Sequence, residues 1–341
     1  MAMLKAGVIG CGGRGQSQAR GYHVSSDVDL VACADPLEAA RTAFAERFGV
    51  KNTYSDYRQM LEKEKPDIVS VATWTPLHRE ITITAAHSGV RAIHSEKPMA
   101  PSWGDAKQMN QACVDNNVVL TFSHQRRFAA PFIKAKQLAN DGTIGQLCRV
   151  EGTCPNLLDW GTHWFDIFFF YNNDEPAEWV IGQIDASEAQ EVFGVPVESS
   201  GLSWVGWENG VEGLLATGGA AEKDISNRLI GTEGIIEIGS QNAKPMRVLS
   251  SKSQGWTVPD LSDLESKGNE TVLSVLDLID ALKNDREPEL IGWKALQATE
   301  LIFVTYESSR RRAKIYLPLD VEDSALVTML ESGMIGNTLD T

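Results

Sequence analysis

The sequence lacks any apolar run of the roughly 18 to 20 residues that a membrane-spanning helix needs. Its densest apolar stretch, Trp164 to Tyr171, has room only for a short buried helix. The N-terminus has no charged region, long apolar region and cleavage site in succession, because Met1 runs within a few residues into Lys5-Ala6-Gly7-Val8-Ile9. No secretory signal is expected. Positive charge is scarce: 31 lysines and arginines stand against 46 aspartates and glutamates, a formal net charge of -15. That is the wrong balance for nucleic acid, whose phosphates need clustered Lys and Arg. The one tight basic run, Arg310-Arg311-Arg312, ends a predicted helix, where it complements the helix dipole. The acidity serves solubility, and an acidic substrate would need a locally basic pocket.

Cysteine is also sparse. Cys11, Cys33, Cys113, Cys148 and Cys154 form no CxxC pair and leave an odd count, as expected for buried free thiols in a reducing cytoplasm. The six histidines are scattered at 23, 78, 87, 94, 124 and 163. Without an HxxxH pair or a Cys/His cluster, no metal site is expected. A GxSxG nucleophile elbow is missing, which leaves a Ser-His-Asp hydrolase unsupported. Internal repeats and low-complexity tracts are absent.

What is present is a chain of 341 residues, 43% hydrophobic, long enough for two domains with cores of their own. Up to about residue 123 short apolar runs alternate with helical patterns. Strands are predicted at Lys5 to Ile9, Asp29 to Ala34, Ile68 to Ala72, Arg91 to Ser95 and Val118 to Ser123. Helices are predicted at Arg14 to Tyr22, Leu37 to Phe48, Asp56 to Lys63, His78 to Ser88 and Trp103 to Asn116. Continuous apolar strands alternating with helices imply a doubly wound α/β domain with a parallel sheet. From about Gly145 strands dominate, with an Asn209-Gly210 turn as a strong hairpin cue. Two helices, Thr271 to Asn284 and Trp293 to Arg312, lie near the end. The second half is therefore expected to be an α+β domain with a mainly antiparallel open sheet. The expected division is a Rossmann domain over 1–123, a substrate and oligomerisation domain over 124–320, and a tail over 321–341.

Three segments carry chemistry. Gly10-Cys11-Gly12-Gly13-Arg14-Gly15 is a GxGxxG placed directly after a strand and opening a helix. The first glycine allows the tight turn, the second lets backbone approach a pyrophosphate, and the third lets helix and strand pack closely. Free N–H groups and the positive dipole end of the helix face the phosphates. Asp35 ends the second strand about 20 residues past the motif, where its carboxylate can bond an adenosine ribose. Next, Ser95-Glu96-Lys97-Pro98 ends the fifth predicted strand, on the ligand-binding edge of such a sheet. By itself Lys-Pro is explained better by a solvated lysine before a turn. The third segment runs from Asp159 to Asp166. Asp159 and His163 are four apart, so on a helix they share a face. The carboxylate can then orient an imidazole that exchanges a proton with substrate. In isolation, a helix-start aspartate and a satisfied core histidine explain them better.

Together these segments resemble the Gfo/Idh/MocA family, the glucose–fructose oxidoreductase and inositol dehydrogenase relatives. The resemblance also takes in Thr73-Trp74-Thr75-Pro76-Leu77-His78, Gln125-Arg126-Arg127-Phe128, Gly142-Thr143-Ile144-Gly145, and Glu307-Ser308-Ser309 followed by Lys314 to Leu319. It covers nearly the whole chain. The resemblance implies an NAD-dependent oxidoreductase acting on a secondary hydroxyl of a sugar, cyclitol or derivative. It makes Lys97 the catalytic lysine near the nicotinamide and the reacting hydroxyl, His163 the general acid/base, and Asp159 its partner. Thr73, Trp74, Thr75, Pro76 and His78 would line the cofactor, with Glu96 beside Lys97 and Gln125 approaching the nicotinamide. Asp166 is left to structure. Trp160 would offer an aromatic platform to a sugar ring, whereas Trp164 fits core packing at least as well. The family pattern usually reaches the catalytic aspartate through a longer Gly-rich loop, but here Thr153 to Leu158 leads directly to Asp159, so the pocket wall differs. A second reading keeps the same site in a redox-neutral glycosidase or lyase, and a third is a cofactor-binding sensor without catalysis. A homodimer or homotetramer, paired through the exposed sheet face of the second domain, is the expected assembly.

Overall fold

A computed structural model describes residues 3–188, 190–220, 225–239, 245–264 and 269–336. They form two compact units. The first falls within Met1–Pro101, Asp105–Gln125 and Lys267–Leu296, the second within Ser102–Gly104, Arg126–Ser266 and Gln297–Thr341.

In the first unit the chain alternates β1 (Leu4–Ile9), α1 (Gly13–Val24), β2 (Val28–Ala34), α2 (Glu38–Phe48), β3 (Asn52–Tyr54) and α3 (Tyr57–Glu64). It continues through β4 (Ile68–Val71), α4 (His78–His87), β5 (Ala92–Ser95), α5 (Trp103–Asp115) and β6 (Val119–Phe122). The strands form one parallel sheet in the order β3-β2-β1-β4-β5-β6. Strand order reverses next to β1, which places a crevice at the carboxyl ends of β1 and β4. β4 and β5 are buried along their whole length, the polar Ser70, His94 and Ser95 included, as expected of central strands covered on both faces. The three-residue β3 is exposed at the sheet edge and too polar to announce itself.

The second unit holds α6 (Ala130–Asn140), β7 (Leu147–Cys154), α7 (Thr162–Tyr171), β8 (Ala177–Asp185), β9 (Gln190–Val192), β10 (Val195–Val197), β11 (Ser200–Trp207) and β12 (Glu212–Thr217). β13 (Ile225–Gly231), β14 (Gly234–Gly239) and β15 (Met246–Ser250) follow. The chain then passes through α8 (Glu270–Asn284), which belongs to the first unit, and returns with α9 (Gly292–Arg311, in this unit from Gln297), β16 (Ile315–Tyr316) and α10 (Ala325–Glu331). Eight strands form an open sheet, β15-β14-β13-β7-β12-β11-β8-β16, antiparallel except where β7 pairs with β12. Gly210 makes the expected turn between β11 and β12 at φ 83. On β8, alternate residues from Val180 to Ile184 are buried. α9 covers that inner face, with Ser308 and Ser309 hydroxyls accepting from the Gly182 and Ile184 amides at 2.8 and 3.2 Å.

One boundary is corrected. A cut at residue 123 leaves α8 in the second domain, whereas Val275, Leu278 and Ile279 of α8 belong to the core of the first unit. α8 packs on α1 at Gly21, where a Cβ would lie 2.5 Å from that of Val275. The sequence shows that α8 is amphipathic, not which sheet its apolar side covers. Of the expected tail, α10 is ordered, and residues 337–341 lie outside the described residues. Four of the five cysteines are buried and Cys148 is exposed. No described helix is long and apolar enough to cross a membrane.

Candidate active site

Five sequence-predicted residues stand at the carboxyl ends of the first unit's strands: Gly10 after β1, Asp35 after β2, Thr73 after β4, Lys97 after β5 and Gln125 after β6. Gly10 has φ 95, and a Cβ there would meet the Ala72 carbonyl oxygen at 2.3 Å. A Cβ on Gly15 would lie 1.8 Å from the Gly10 carbonyl oxygen, so α1 can approach β1 only with glycine at that position. Gly12 and Gly13 are different: a Cβ on either would meet nothing within 4 Å. Those two leave room for a ligand against bare backbone at the start of α1, where no side chain caps the helix.

Asp35 is half-buried, and its carboxylate accepts from the Cys11 amide at 2.8 Å and the Leu37 amide at 2.9 Å. These bonds fix the carboxylate beside the glycine turn and leave further lone pairs for a ribose hydroxyl. Arg41, the nearest cation in sequence, donates instead to the Asp35 carbonyl at 2.6 Å and the Pro36 carbonyl at 3.1 Å. Arg14 is exposed on the first turn of α1, while the Cys11 side chain is buried.

Beside β4, Thr73 is half-buried, Trp74 and Pro76 are exposed, and Thr75 is buried in a short 3₁₀ turn. The hydroxyl of Thr73 and the side-chain carbonyl of Gln125 are buried without hydrogen-bond partners among the described residues. A dinucleotide cradle at this edge would give both something to bind, so the residues present fit NAD.

Two residues expected at the cofactor face inward instead. The structure buries Glu96, whose Oε1 accepts from Gln18 Nε2 at 2.7 Å and the Ser123 hydroxyl at 3.1 Å. His78 is fully buried, with Nδ1 3.0 Å from the Pro98 carbonyl and Nε2 3.1 Å from the Thr73 carbonyl. Burial pulls its pKa below the ordinary value. His78 thus braces backbone on either side of the crevice edge, and Glu96 ties the segment to α1 and to Ser123; Lys97 is itself only 8% exposed. Sequence spacing placed them at the right edge of the sheet but carried no signal of side-chain direction.

In the second unit, Asp159 and His163 lie on one helical segment. It opens with a wide turn, Leu157–Gly161, closed by the Gly161 amide on the Asn156 carbonyl at 2.8 Å, and continues as α7. Such wide turns are rare and are common at functional sites. Asn156 caps the turn by accepting from the Asp159 amide at 2.8 Å. Asp159 is half-buried and His163 is 4% exposed. Trp160 is 40% exposed, whereas Trp164 is buried with its indole N–H on the Thr153 carbonyl at 2.7 Å. Trp164 is therefore core. Asp166, left to structure, binds Arg127 at 3.0 Å, and Asp174 binds the same guanidinium at 2.8 Å. Burial opposes that cation, and the two carboxylates overcome the cost and hold its pKa above the usual value. Arg126, to which the sequence assigned no role, lies over Trp164 at 4.5 Å and Trp160 at 5.4 Å. The Gln125-Arg126-Arg127-Phe128 segment included it, but its contacts are not local in sequence, so its place over these rings was not legible.

The profile of an oxidoreductase family with an NAD-binding Rossmann fold, Gfo/Idh/MocA, matches residues 4–124. Levoglucosan dehydrogenase of Pseudarthrobacter phenanthrenivorans is 32% identical over 170 residues, covering 47% of this chain and 42% of that protein's length. The NAD(+)-dependent scyllo-inositol 2-dehydrogenase of Bacillus subtilis is 24% identical over 305 residues, covering 84% of this chain and 88% of its own. Among solved structures, a levoglucosan dehydrogenase in complex with NADH and levoglucosan superimposes with a TM-score of 0.79 at 20% identity, over 93% of this chain and all of the other.

Residues 4–124 of the chain thus match the Gfo/Idh/MocA profile, and the chain as a whole is similar to dehydrogenases such as these. The family profile falls on the parallel-sheet unit, and the longer matches extend through the antiparallel sheet. The glycine turn, Asp35 and the Glu96-Lys97-Pro98 segment all lie within the matched residues.

Proposed function

We propose that this protein is an NAD-dependent dehydrogenase that oxidises a secondary hydroxyl of a sugar, cyclitol or derivative, or runs the reverse reduction. The observation that carries the reading is the glycine cradle and Asp35 at the same strand-end edge as Lys97. The relatives reported above are named as dehydrogenases, which favours net hydride transfer over a redox-neutral cycle. NAD, when bound, supplies the hydride acceptor. Gly12, Gly13 and the first amides of α1 would hold its pyrophosphate, Asp35 the adenosine ribose, and Thr73 and Gln125 the nicotinamide side.

The chain's own chemistry is then proton movement and charge stabilisation. As the carbinol carbon gives up its hydride, His163 takes the hydroxyl proton, with Asp159 orienting the ring. The Lys97 ammonium stabilises the negative charge that develops on that oxygen. Trp160 provides an apolar face for the C–H side of a sugar ring. Glu96 and His78 act on the reaction only by holding the segment around Lys97 in place. The second unit would also carry the oligomer contact. Ile181, Leu202, Trp204 and Tyr316 leave apolar surface on the outer sheet face, each more than a third exposed, as a patch that pairs with a second copy would. The test is a screen of sugars, cyclitols and anhydrosugars with NAD, read as NADH absorbance. Steady NADH formation with at least one alcohol is expected. Product release from a glycoside without NADH would overturn the reading.

A further inference from the structure

Glu198 belongs to no motif in the sequence. It lies between β10 and β11 and is 2% exposed. Its Oε1 accepts from the Leu157 backbone amide at 2.6 Å and from the Thr217 hydroxyl at 3.0 Å, and its Oε2 accepts from the Tyr306 hydroxyl at 2.8 Å. The three donors come from the wide turn before α7, the end of β12, and α9.

A carboxylate is expensive to bury even when hydrogen-bonded, and an apolar side chain would fill the same space at less cost. The carboxylate supplies two things that an apolar side chain cannot. Leu157 N–H is among the first amides of the helix, which have no partner within it. A negative charge at that end also favours the positive pole of the helix dipole. Burial pushes the Glu198 pKa upward, and its hydrogen-bond donors, led by Tyr306, act against that push.

We propose that Glu198 is a positioning residue for the dehydrogenase reaction, one that fixes the wide first turn of the helix and with it the setting of Asp159 and His163. The proposal rests on the reading of those two residues as the proton-transfer pair. Asn156 holds the amide of Asp159, and Glu198 holds the amide of Leu157, two residues earlier. The wide turn advances the chain differently from an ordinary α turn. Relaxation to α spacing would rotate Asp159 relative to His163, and the Leu157 anchor resists that change. Glu198 touches neither substrate nor cofactor in this scheme.

The experiment uses the full chain with Glu198→Gln, Glu198→Ala and His163→Ala, and the alcohol that turns over fastest in the screen above. Expected for Glu198→Ala is a kcat loss of about 10- to 100-fold, the scale of a misplaced catalytic group. NAD affinity in a fluorescence titration should stay within about twofold of wild type, since the loss lies in the transition state and not in ground-state binding. Glu198→Gln keeps an acceptor for Leu157 and should recover a substantial part of the loss. It also serves as the test if the alanine variant fails to fold. The indole N–H resonance of Trp164 and the ring signals of His163, both on this helix, should move in Glu198→Ala without any substrate present. An inactive His163→Ala beside a Glu198→Ala with wild-type kcat and unmoved signals would overturn the proposal alone. Equal loss of kcat, NAD affinity and melting temperature in both Glu198 variants would make the residue purely structural and overturn it as well. Wild-type turnover in His163→Ala would instead sink the catalytic pair, and the NMR signals would still decide whether Glu198 sets this helix.

Discussion

Asp35 shows how much one side chain decides. Its carboxylate is fixed by the Cys11 and Leu37 amides, so it can accept from a ribose 2′-OH but repels a 2′-phosphate. Arg41, the cation that could reverse this, is spent on backbone carbonyls. NAD should therefore bind more tightly than NADP, and equal affinities in a titration would refute this. Lys97→Ala should fold and bind NAD but lose on the order of 100- to 1000-fold in turnover, the usual cost of removing a group that stabilises developing charge. Activity within a few-fold of wild type would reduce Lys97 to a strand-end lysine. His163→Ala should lose about 100- to 10,000-fold in kcat, because a positioned base contributes that much. Asp159→Asn should also be impaired, and if the two act as one unit the double variant should be little worse than the poorer single. Additive losses would separate their roles.

At the scale of the element, the helix from Leu157 to Tyr171 carries the most information. Its apolar run was legible from Trp164 to Tyr171, and the four-residue spacing of Asp159 and His163 was legible too. The wide first turn was not. It depends on the Asn156 cap and on Glu198, which is distant in sequence. Asn156→Ala should lower stability by about 1 kcal/mol, the ordinary value of an N-cap, or roughly 1 to 2 °C in Tm for a chain of this size. A thermal melt superimposable on wild type would show that Glu198 alone holds the turn. β3, by contrast, escaped notice because it is three residues long, and two of them, Asn52 and Thr53, are polar and exposed.

For the whole molecule, buried histidines link stability to pH. His94 is fully buried on β5, with Nδ1 2.9 Å from the Thr121 hydroxyl, and burial lowers its pKa to about 4. An unfolded histidine titrates near 6.5. The folded-state value is the lower one, so protonation favours the unfolded chain. Stability is full above about 6.5 and falls as pH drops towards 4, by up to about 3 kcal/mol. Urea unfolding across that range should show the loss, reduced in His94→Gln. An unchanged slope in the variant would assign the acid sensitivity elsewhere, His78 being the next candidate.

The sequence by itself determined the parallel-sheet unit, the glycine cradle, Asp35, and the presence of Lys97, Asp159 and His163 in a recognisable order. These are local signals: strand periodicity, turn glycines and fixed offsets along the chain. Only the tertiary structure decided that α8 belongs to the first core, that Glu96 and His78 face inward, and that Trp164 is core while Trp160 is exposed. It alone brought Glu198 and Arg126 to the helix of Asp159. The physical reason is that burial and hydrogen-bond partnership depend on what packs against a residue, and those partners lie tens to hundreds of positions away. Leu157 and Glu198 are 41 residues apart, and Tyr306 and Glu198 are 108 apart.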